Sequence, residues 1–404
     1  MEMEYDLKKY REELLAELHS ILHYWMERTP DQVNGGFVGR IDHSGNVYHD
    51  APKGSVLNSR ILWTFSAAYS LTNDHRYLET AHAAYHYLTE NFIDKDYGGV
   101  YWTVDHKGQP LDTKKQIYAL SFAVYGLSEY YRCTGNEEAK RIAILLFEDI
   151  VRYSYDERHG GYIEALSRDW KELADLRLSA KDANEKKSMN THLHVLEGFA
   201  NLYRTWPDAA LKQRLMELVE LFTNHIISKK TGHLLLFFDD QWHSKSDTVS
   251  FGHDIEAAWL VQEAAELTGD ENLLSEVKDC SLLLANAAER GLDQDGGLWY
   301  EYEPSTDHLV KEKHSWPQAE AMVGFFNAWQ LTREKRYLEH SLNSWSFVKK
   351  YMHDKTCGEW YWGVHENYAP MSNEDKVGIW KCPYHNSRAC IEIVHRINQL
   401  EEQL

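Results

Sequence analysis

Two kinds of apolar segment alternate along the chain. Between 77 and 93 the apolar residues fall at Tyr77, Leu78, Ala81, Tyr85 and Leu88, with polar positions between them. Such a stripe predicts a helix with one face to water. Between 115 and 132 the run from Ile117 to Tyr125 is apolar nearly all round. Segment 61–69 has the same character, with Ile61, Leu62, Trp63, Phe65, Ala67, Ala68 and Tyr69. A helix apolar on every side is buried on every side. Read in this way, the chain predicts helices over about 6–27, 57–70, 77–93, 115–132, 137–153, 189–206, 209–227, 252–268, 271–289, 315–332, 337–352 and 384–401. The even-numbered ones are expected to be inner and the odd-numbered ones outer.

Turn chemistry divides the pattern into units. Thr72-Asn73-Asp74, Thr134-Gly135-Asn136-Glu137, Trp206-Pro207-Asp208 and Thr268-Gly269-Asp270-Glu271 read as short links between antiparallel helices. Between pairs comes a glycine turn and an aromatic-rich extended run, marked by Gly36, Gly99, Gly161, Gly232, Gly297 and Gly358, spaced 61 to 71 residues apart. A period of that length marks repeated units, none of which buries its apolar face alone. Six inner and six outer helices, alternating, predict an all-α (α/α)6 barrel with short β-hairpins between repeats. Proline is scarce and no linker interrupts the pattern, so residues 1–404 are expected to form a single domain. Every inner helix follows a connection of the same kind, which gathers all six inner N-termini at one end of the barrel.

Charge and composition narrow the functions such a barrel can serve. The formal charge of −20 argues against nucleic acid, whose phosphates need a basic surface. Met1 to Lys9 carries five charges and no apolar core, unlike a secretory signal, and no apolar run is long enough to span a bilayer. The five cysteines are irregularly spaced without a CxxC pair, which fits reduced thiols in a cytoplasmic protein. Aromatics and histidines are the unusual classes, with 14 Trp, 25 Tyr and 22 His.

Near its first turns each inner helix carries something polar. In order these are Arg60, Tyr118, Asn190 with His194, His253 with Glu256, Trp316 with Glu320, and His385 with Asn386. His253 and Glu256 stand at i, i+3, as do His385 and Arg388, so each pair shares a helix face. A lone buried histidine is more often a satisfied core residue than a catalyst, and His192 beside His194 shows that not every imidazole points inward. Charged groups on nearly apolar helices are nonetheless costly unless partnered. Convergence of six such positions at one ring end is hard to attribute to packing. Without HExxH, a P-loop or a strand followed by GxGxxG, neither metal nor nucleotide cofactor is expected. Trp316, Trp360, Trp362 and Trp380 stand in or beside the late connections, where indole faces suit the C–H faces of pyranose rings.

Several of these segments resemble the N-acylglucosamine 2-epimerase superfamily, and within it most closely the cellobiose 2-epimerases. They are NGGFVGRID at 34–42, NSRILWTFS at 58–66, YGGVYW at 97–102 and MNTHLHVLEGF at 189–199. SFGHDIEAAWL at 250–260, PQAEAMVGF at 317–325 and WKCPYHNSRAC at 380–390 complete the series in the family's order. The resemblance implies a metal-free (α/α)6 barrel that interconverts glucose and mannose configuration at the reducing end of β-1,4-linked disaccharides. It places Arg60, His194, His253, Glu256, Trp316, Glu320, Trp380 and His385 at the family's site positions. One departure is Leu120, where the family pattern leads one to expect glutamine on the fourth helix; substrate preference is expected to move with it.

Epimerising C2 of an aldose requires ring opening, removal of the C2 proton and its return from the other face, through an enediolate. Histidine is the natural base near neutrality. The expected catalytic set is His253, His385, His194, Arg60 and Glu256. His253 and His385 would flank C2, His194 serve ring opening, Arg60 donate to the enediolate oxygens and Glu256 orient His253. Tyr118, Asn190, Trp316, Glu320 and Trp380 form the expected sugar-binding set. Rival readings are an aldose–ketose isomerase or an N-acylglucosamine or monosaccharide 2-epimerase on the same barrel, a glycoside hydrolase using Glu256 and Glu320, and a non-catalytic scaffold. A monomer or weak homodimer is the expected assembly.

Overall fold

The computed structural model describes residues 2–402. Among them are twelve α-helices: α1 Glu2–Arg28, α2 Ser55–Thr72, α3 His75–Asn91, α4 Ile117–Thr134, α5 Glu137–Ser154 and α6 Met189–Thr205. The second half repeats the series with α7 Ala209–Leu221, α8 Phe251–Thr268, α9 Glu271–Glu289, α10 Ser315–Thr332, α11 Lys335–Phe347 and α12 Tyr384–Glu402. Helices α7 and α11 each end in a wider π-helical turn, Phe222–Ile226 and Val348–Met352.

The even-numbered helices form a closed inner ring in which α2 packs on α4, α4 on α6, α6 on α8, α8 on α10, α10 on α12 and α12 on α2. Each outer helix lies against its inner partner, and α1 against α12. Burial follows the periodicity. In α2 every residue from Ser55 to Ala68 is buried, whereas α3 buries Tyr77, Ala81, Ala84, Tyr85, Tyr87 and Leu88. The inner helices approach closely where glycine stands at the contact. A Cβ on Gly126 of α4 would come within 2.6 Å of the Ser59 carbonyl on α2, and one on Gly198 of α6 within 2.7 Å of Ser121 O on α4. This is the (α/α)6 barrel.

Links within pairs are built by their own sequence. Asn73, Gly135, Gly269 and Arg333 take the left-handed conformation that ends an inner helix. Asp74, Asn136, Asp208 and Asp270 then cap the outer helix through their side chains.

Links between repeats hold a second device. The short strand ahead of an inner helix pairs antiparallel with the connection of the next repeat. Lys53 lies opposite Val104, Lys115 opposite Leu166, Lys187 opposite Phe238, Val249 opposite Tyr302 and Lys313 opposite Val364. Val377 opposite Ile41 closes the circle. In five of the six repeats the lysine at this place turns back onto an aspartate of the preceding glycine turn. Lys53–Asp31, Lys115–Asp94 and Lys187–Asp156 are each 2.8 Å, Lys313–Asp293 is 2.7 Å, and Lys376 meets Asp354. The fourth repeat has Ser228 for the aspartate and Val249 for the lysine.

Among the described residues no helix is long and apolar enough to cross a membrane. All five cysteines are free thiols.

Candidate active site

The inner N-termini meet at one end of the ring, and their polar side chains touch. Arg60 on α2 donates to the Tyr118 hydroxyl on α4 at 2.8 Å. Its guanidinium lies over the rings of Phe122, at 4.2 Å, and Tyr384, at 4.7 Å. The Tyr118 ring stands edge-on to His194 of α6, with centroids 5.0 Å apart. His253 of α8 and His385 of α12 both lie against the indole of Trp316 on α10, at 4.7 and 5.6 Å between centroids. Imidazoles 132 residues apart in sequence therefore meet at one ring.

Trp316, Trp380, His385, Ser315, Trp362 and Cys382 line a cleft at this end. Trp380 reaches it because residues 378–383 intervene between Val377 and α12, where the other repeats pass directly from strand to helix. Its indole packs against Tyr118 and Trp102, at 5.9 and 5.8 Å. Asn190 lies at the start of α6, with its Oδ1 buried and without a partner.

Beneath the cleft runs a charged network built on Arg388. Its Nη2 donates to Glu256 and to Glu320, at 2.6 Å each, and its Nη1 donates to Glu197. Glu197 also accepts from the Tyr384 hydroxyl and faces His194 Nδ1 at 2.8 Å. Glu320 Oε1 faces His385 Nδ1 at 2.7 Å, while its Oε2 accepts from the Trp259 indole at 3.1 Å.

Two expected roles change in consequence. Glu256 does not orient His253, because its carboxylate is taken by Arg388; His253 Nδ1 meets Ser250 Oγ at 2.8 Å instead. Glu320 is not free for sugar hydroxyls, since both its oxygens are engaged, and it orients His385. Leu120 is also not at the cleft. It is fully buried in the core, four residues after the pre-helix strand. The residues at that place in other repeats serve the glycine turns: His192 accepts from Tyr162 N, Asp254 from Leu234 N and Gln318 from Leu298 N. Leu120 itself is not among the residues lining the cleft, so the expected shift in substrate preference loses its basis.

Glu197, Tyr384, Ser250 and Trp259 were not anticipated. Glu197 stands at i, i+3 from His194 on a buried helix, the same signal that paired His253 with Glu256.

The electrostatics separate the groups. Burial pushes His253 down to about 3, helped by the charges His194 and His385 would carry. Burial likewise holds His385 at about 3, outweighing Glu320, and lowers His194. All three rings are neutral at pH 7. With Nδ1 of His385 and of His194 donating to carboxylates, each Nε2 keeps its lone pair for the cleft. Against the cost of burial, the Arg388 charge and the His194 bond hold Glu197 at about 2. Burial and the neighbouring Glu320 raise the Glu256 carboxyl, whereas Arg388 and His385 overcome burial to keep Glu320 low.

Glu256, Glu320 and His385 bring three ligand atoms within 4.8 Å of one another, close enough to hold a metal ion. The Arg388 guanidinium already bonds both carboxylates, and the cation there is a side chain. The same arrangement weighs against hydrolysis. Inverting glycosidases hold their carboxyls about 6.5–9.5 Å apart with water between, and these two share one nitrogen. What the geometry offers is a pair of neutral bases over one aromatic platform, with guanidinium and phenol donors beside them.

Comparison with known proteins agrees. The sequence model of the N-acylglucosamine 2-epimerase (GlcNAc 2-epimerase) family matches residues 35–389. A cellobiose 2-epimerase of Bacteroides fragilis is 50% identical over 385 residues, covering 95% of this chain and 98% of the relative. That of Dictyoglomus turgidum is 36% identical, covering 97% and 100%. The solved cellobiose 2-epimerase of Bacillus thermoamylovorans superposes with a TM-score of 0.92 at 40% identity, covering 96% of this chain and all of that one. The match runs through every repeat and through each segment that supplies the cleft: the chain belongs to the N-acylglucosamine 2-epimerase family.

Proposed function

We propose that this protein epimerises C2 of the reducing-end sugar of β-1,4-linked disaccharides, interconverting cellobiose and glucosyl-mannose. The observation that carries the reading is the meeting of His253 and His385 at one indole, Trp316, which with His385 lines the cleft. The high similarity to cellobiose 2-epimerases supports the substrate class. Residues 1–404 act as one catalytic domain, as a monomer or weak homodimer, on a neutral disaccharide and without metal or organic cofactor.

In this reading His194, backed by Glu197, takes part in opening the ring, and Arg60 with Tyr118 donates to O1. Only the open form has an acidic C2 proton, because the carbanion spreads onto O1. One imidazole removes that proton through its free nitrogen. Glu320 behind His385 stabilises the imidazolium that forms there, a role His253 lacks. His253 instead leans on a hydroxyl, which donates to a neutral ring and accepts from a charged one. As enediolate charge develops, the opposite ring takes up a solvent proton and delivers it to the other face of C2. The first ring then releases its proton to solvent, and in the reverse direction the two exchange roles. A positioned base or acid contributes about 10²–10⁴-fold, and each fixed donor to the oxyanion roughly 10²–10³-fold. Trp316 and Trp380 hold the sugar rings, and Asn190 offers its unpartnered oxygen to a hydroxyl.

Incubation with cellobiose in D₂O tests this directly. Glucosyl-mannose must appear with an unchanged count of reducing ends and deuterium at C2 of both epimers. Free glucose would indicate hydrolysis, a fructose-type product isomerisation, and product without label would exclude proton exchange.

A further inference from the structure

The six glycine turns share one backbone bond, although the turn at Asp293 is a residue shorter than the rest. The residue at the second glycine position accepts, through its carbonyl, from the N–H at the aspartate position. The acceptors are Gly36, Gly99, Gly161, His233, Gly297 and Glu359. Two of the six are thus not glycine, and these two precede the inner helices that carry His253 and His385.

Both side chains reach across to those helices and bond the residue that directly follows the histidine. His233 Nδ1 meets Asp254 Oδ2 at 2.6 Å, and Asp254 is fully buried. Asn386 Nδ2 donates to Glu359 Oε1 at 2.7 Å. Glu359 holds a left-handed φ of 64°, a conformation that residues with a side chain seldom adopt. Its carboxylate also accepts from the Trp25 indole on α1 and from Lys381. In the fourth repeat the lysine–aspartate pair of the other connections is absent, and the His233–Asp254 contact links the turn to the inner helix.

We propose that His233 and Glu359 are positioning residues for the two imidazoles, each pinning one of the helices so that the rings face C2 from opposite sides. The inference rests on the two-base reading above. Glycine at these places would remove the side-chain contacts to Asp254 and Asn386, leaving Asp254 its bond from Leu234 N, while the turn keeps the backbone bond seen in the other repeats. Placement matters at this scale, because a shift of about 1 Å at the reacting centre can cost on the order of 10²-fold in rate.

The experiment compares His233→Gly and Glu359→Gly with the conservative His233→Asn and Glu359→Gln. Rates are measured on cellobiose and glucosyl-mannose, each with hydrogen or deuterium at C2, and thermal unfolding is followed in parallel. Each glycine variant should lose roughly 10- to 100-fold in kcat with little change in KM, and the conservative forms should lose less. The decisive readout is sidedness. Proton transfer on the weakened face becomes slower, so the primary isotope effect rises for one epimer in the His233 variants and for the opposite epimer in the Glu359 variants. Unchanged rates and isotope effects in folded variants overturn the proposal, as does a loss whose isotope effects move alike in both. Should the glycine forms fail to fold, the Asn and Gln forms decide by the same criterion. No C2 exchange with D₂O in the unsubstituted protein would remove the two-base reading instead, and the two failures are told apart.

Discussion

Glu320 joins His385 to the barrel floor: one carboxylate oxygen lies 2.7 Å from the ring Nδ1 while the other accepts from the Trp259 indole. The carboxylate cannot swing away without stranding a buried donor, so the ring is held in one tautomer. Glu320→Gln keeps the shape but offers an amide that can donate to Nδ1 and turn the tautomer around. We expect kcat to fall by about 10²–10⁴-fold, the range of a mispositioned or lost base, with KM nearly unchanged. Steady-state kinetics on cellobiose check this, and a KM effect alone would contradict it.

His253→Ala and His385→Ala should each lower turnover by at least about 10²–10⁴-fold while circular dichroism and the unfolding temperature stay near those of the parent. Because the rings share Trp316 as a neighbour, the double variant should be little worse than either single one. Near-normal turnover in either single variant would break the two-base scheme.

Burial holds His253 and His385 at about 3, well below an ordinary histidine near 6.5. The base form is the neutral ring, so acidification removes it only below the lowered value. In a pH profile of kcat/KM, activity should persist through about pH 5–6. An acid limb centred on the ordinary imidazole value would show that these rings titrate as if exposed.

Lys53 and Asp31 are each about 1% exposed and bond one another. Lys53→Met leaves the carboxylate buried with only part of its bonding, at a cost of about 3–5 kcal/mol, read as a lower midpoint in urea. Against burial, Lys53 and the Asn34 and Val33 N–H groups depress Asp31 to about 2, and Lys187 with the Arg158 and His159 N–H groups does the same for Asp156. A depressed carboxylate contributes stability that is present above the unfolded value near 3.9 and lost as pH falls through the folded one. Acid unfolding of the parent should therefore steepen between about pH 4 and 2, and the variant should show less of that slope.

Leu120→Gln should leave the preference among disaccharides unchanged, since the side chain is fully buried and does not line the cleft. Its effect belongs to stability: an unpaired buried amide costs about 1–3 kcal/mol, less if it takes the turn N–H as Gln318 does. Altered relative kcat/KM across cellobiose, lactose and mannobiose would contradict the placement.

Much of this architecture was readable from local rules. Helix α9 falls on the expected 271–289 because the Thr268-Gly269 turn and the Asp270 cap mark its start, and α10 on 315–332 because its apolar run is nearly continuous. Convergence of Arg60, Tyr118, His194, His253, Trp316 and His385 followed from placing every inner N-terminus at one end. Pairings between helices were not readable. The His385–Glu320 contact joins positions 65 apart and Arg388–Glu256 positions 132 apart, where spacing along a helix says nothing. Glu256 was assigned to its helical neighbour His253 because a one-helix rule cannot see the guanidinium arriving from α12. The lysine–aspartate locks were missed for a similar reason. Their partners stand 20 to 31 residues apart across a turn and read in sequence as ordinary surface charge.

The strands that couple each repeat to the next run the whole way round, from Lys53 opposite Val104 to Val377 opposite Ile41. They form a hoop at the rim where the cleft opens. A hoop fixes girth: its circumference cannot grow without parting a seam, and in five of the six repeats the strand's lysine is also tied back to its own turn. On this geometry the room to admit a sugar is expected from side chains and from the residues overhanging the rim around Trp380, rather than from a widening of the ring.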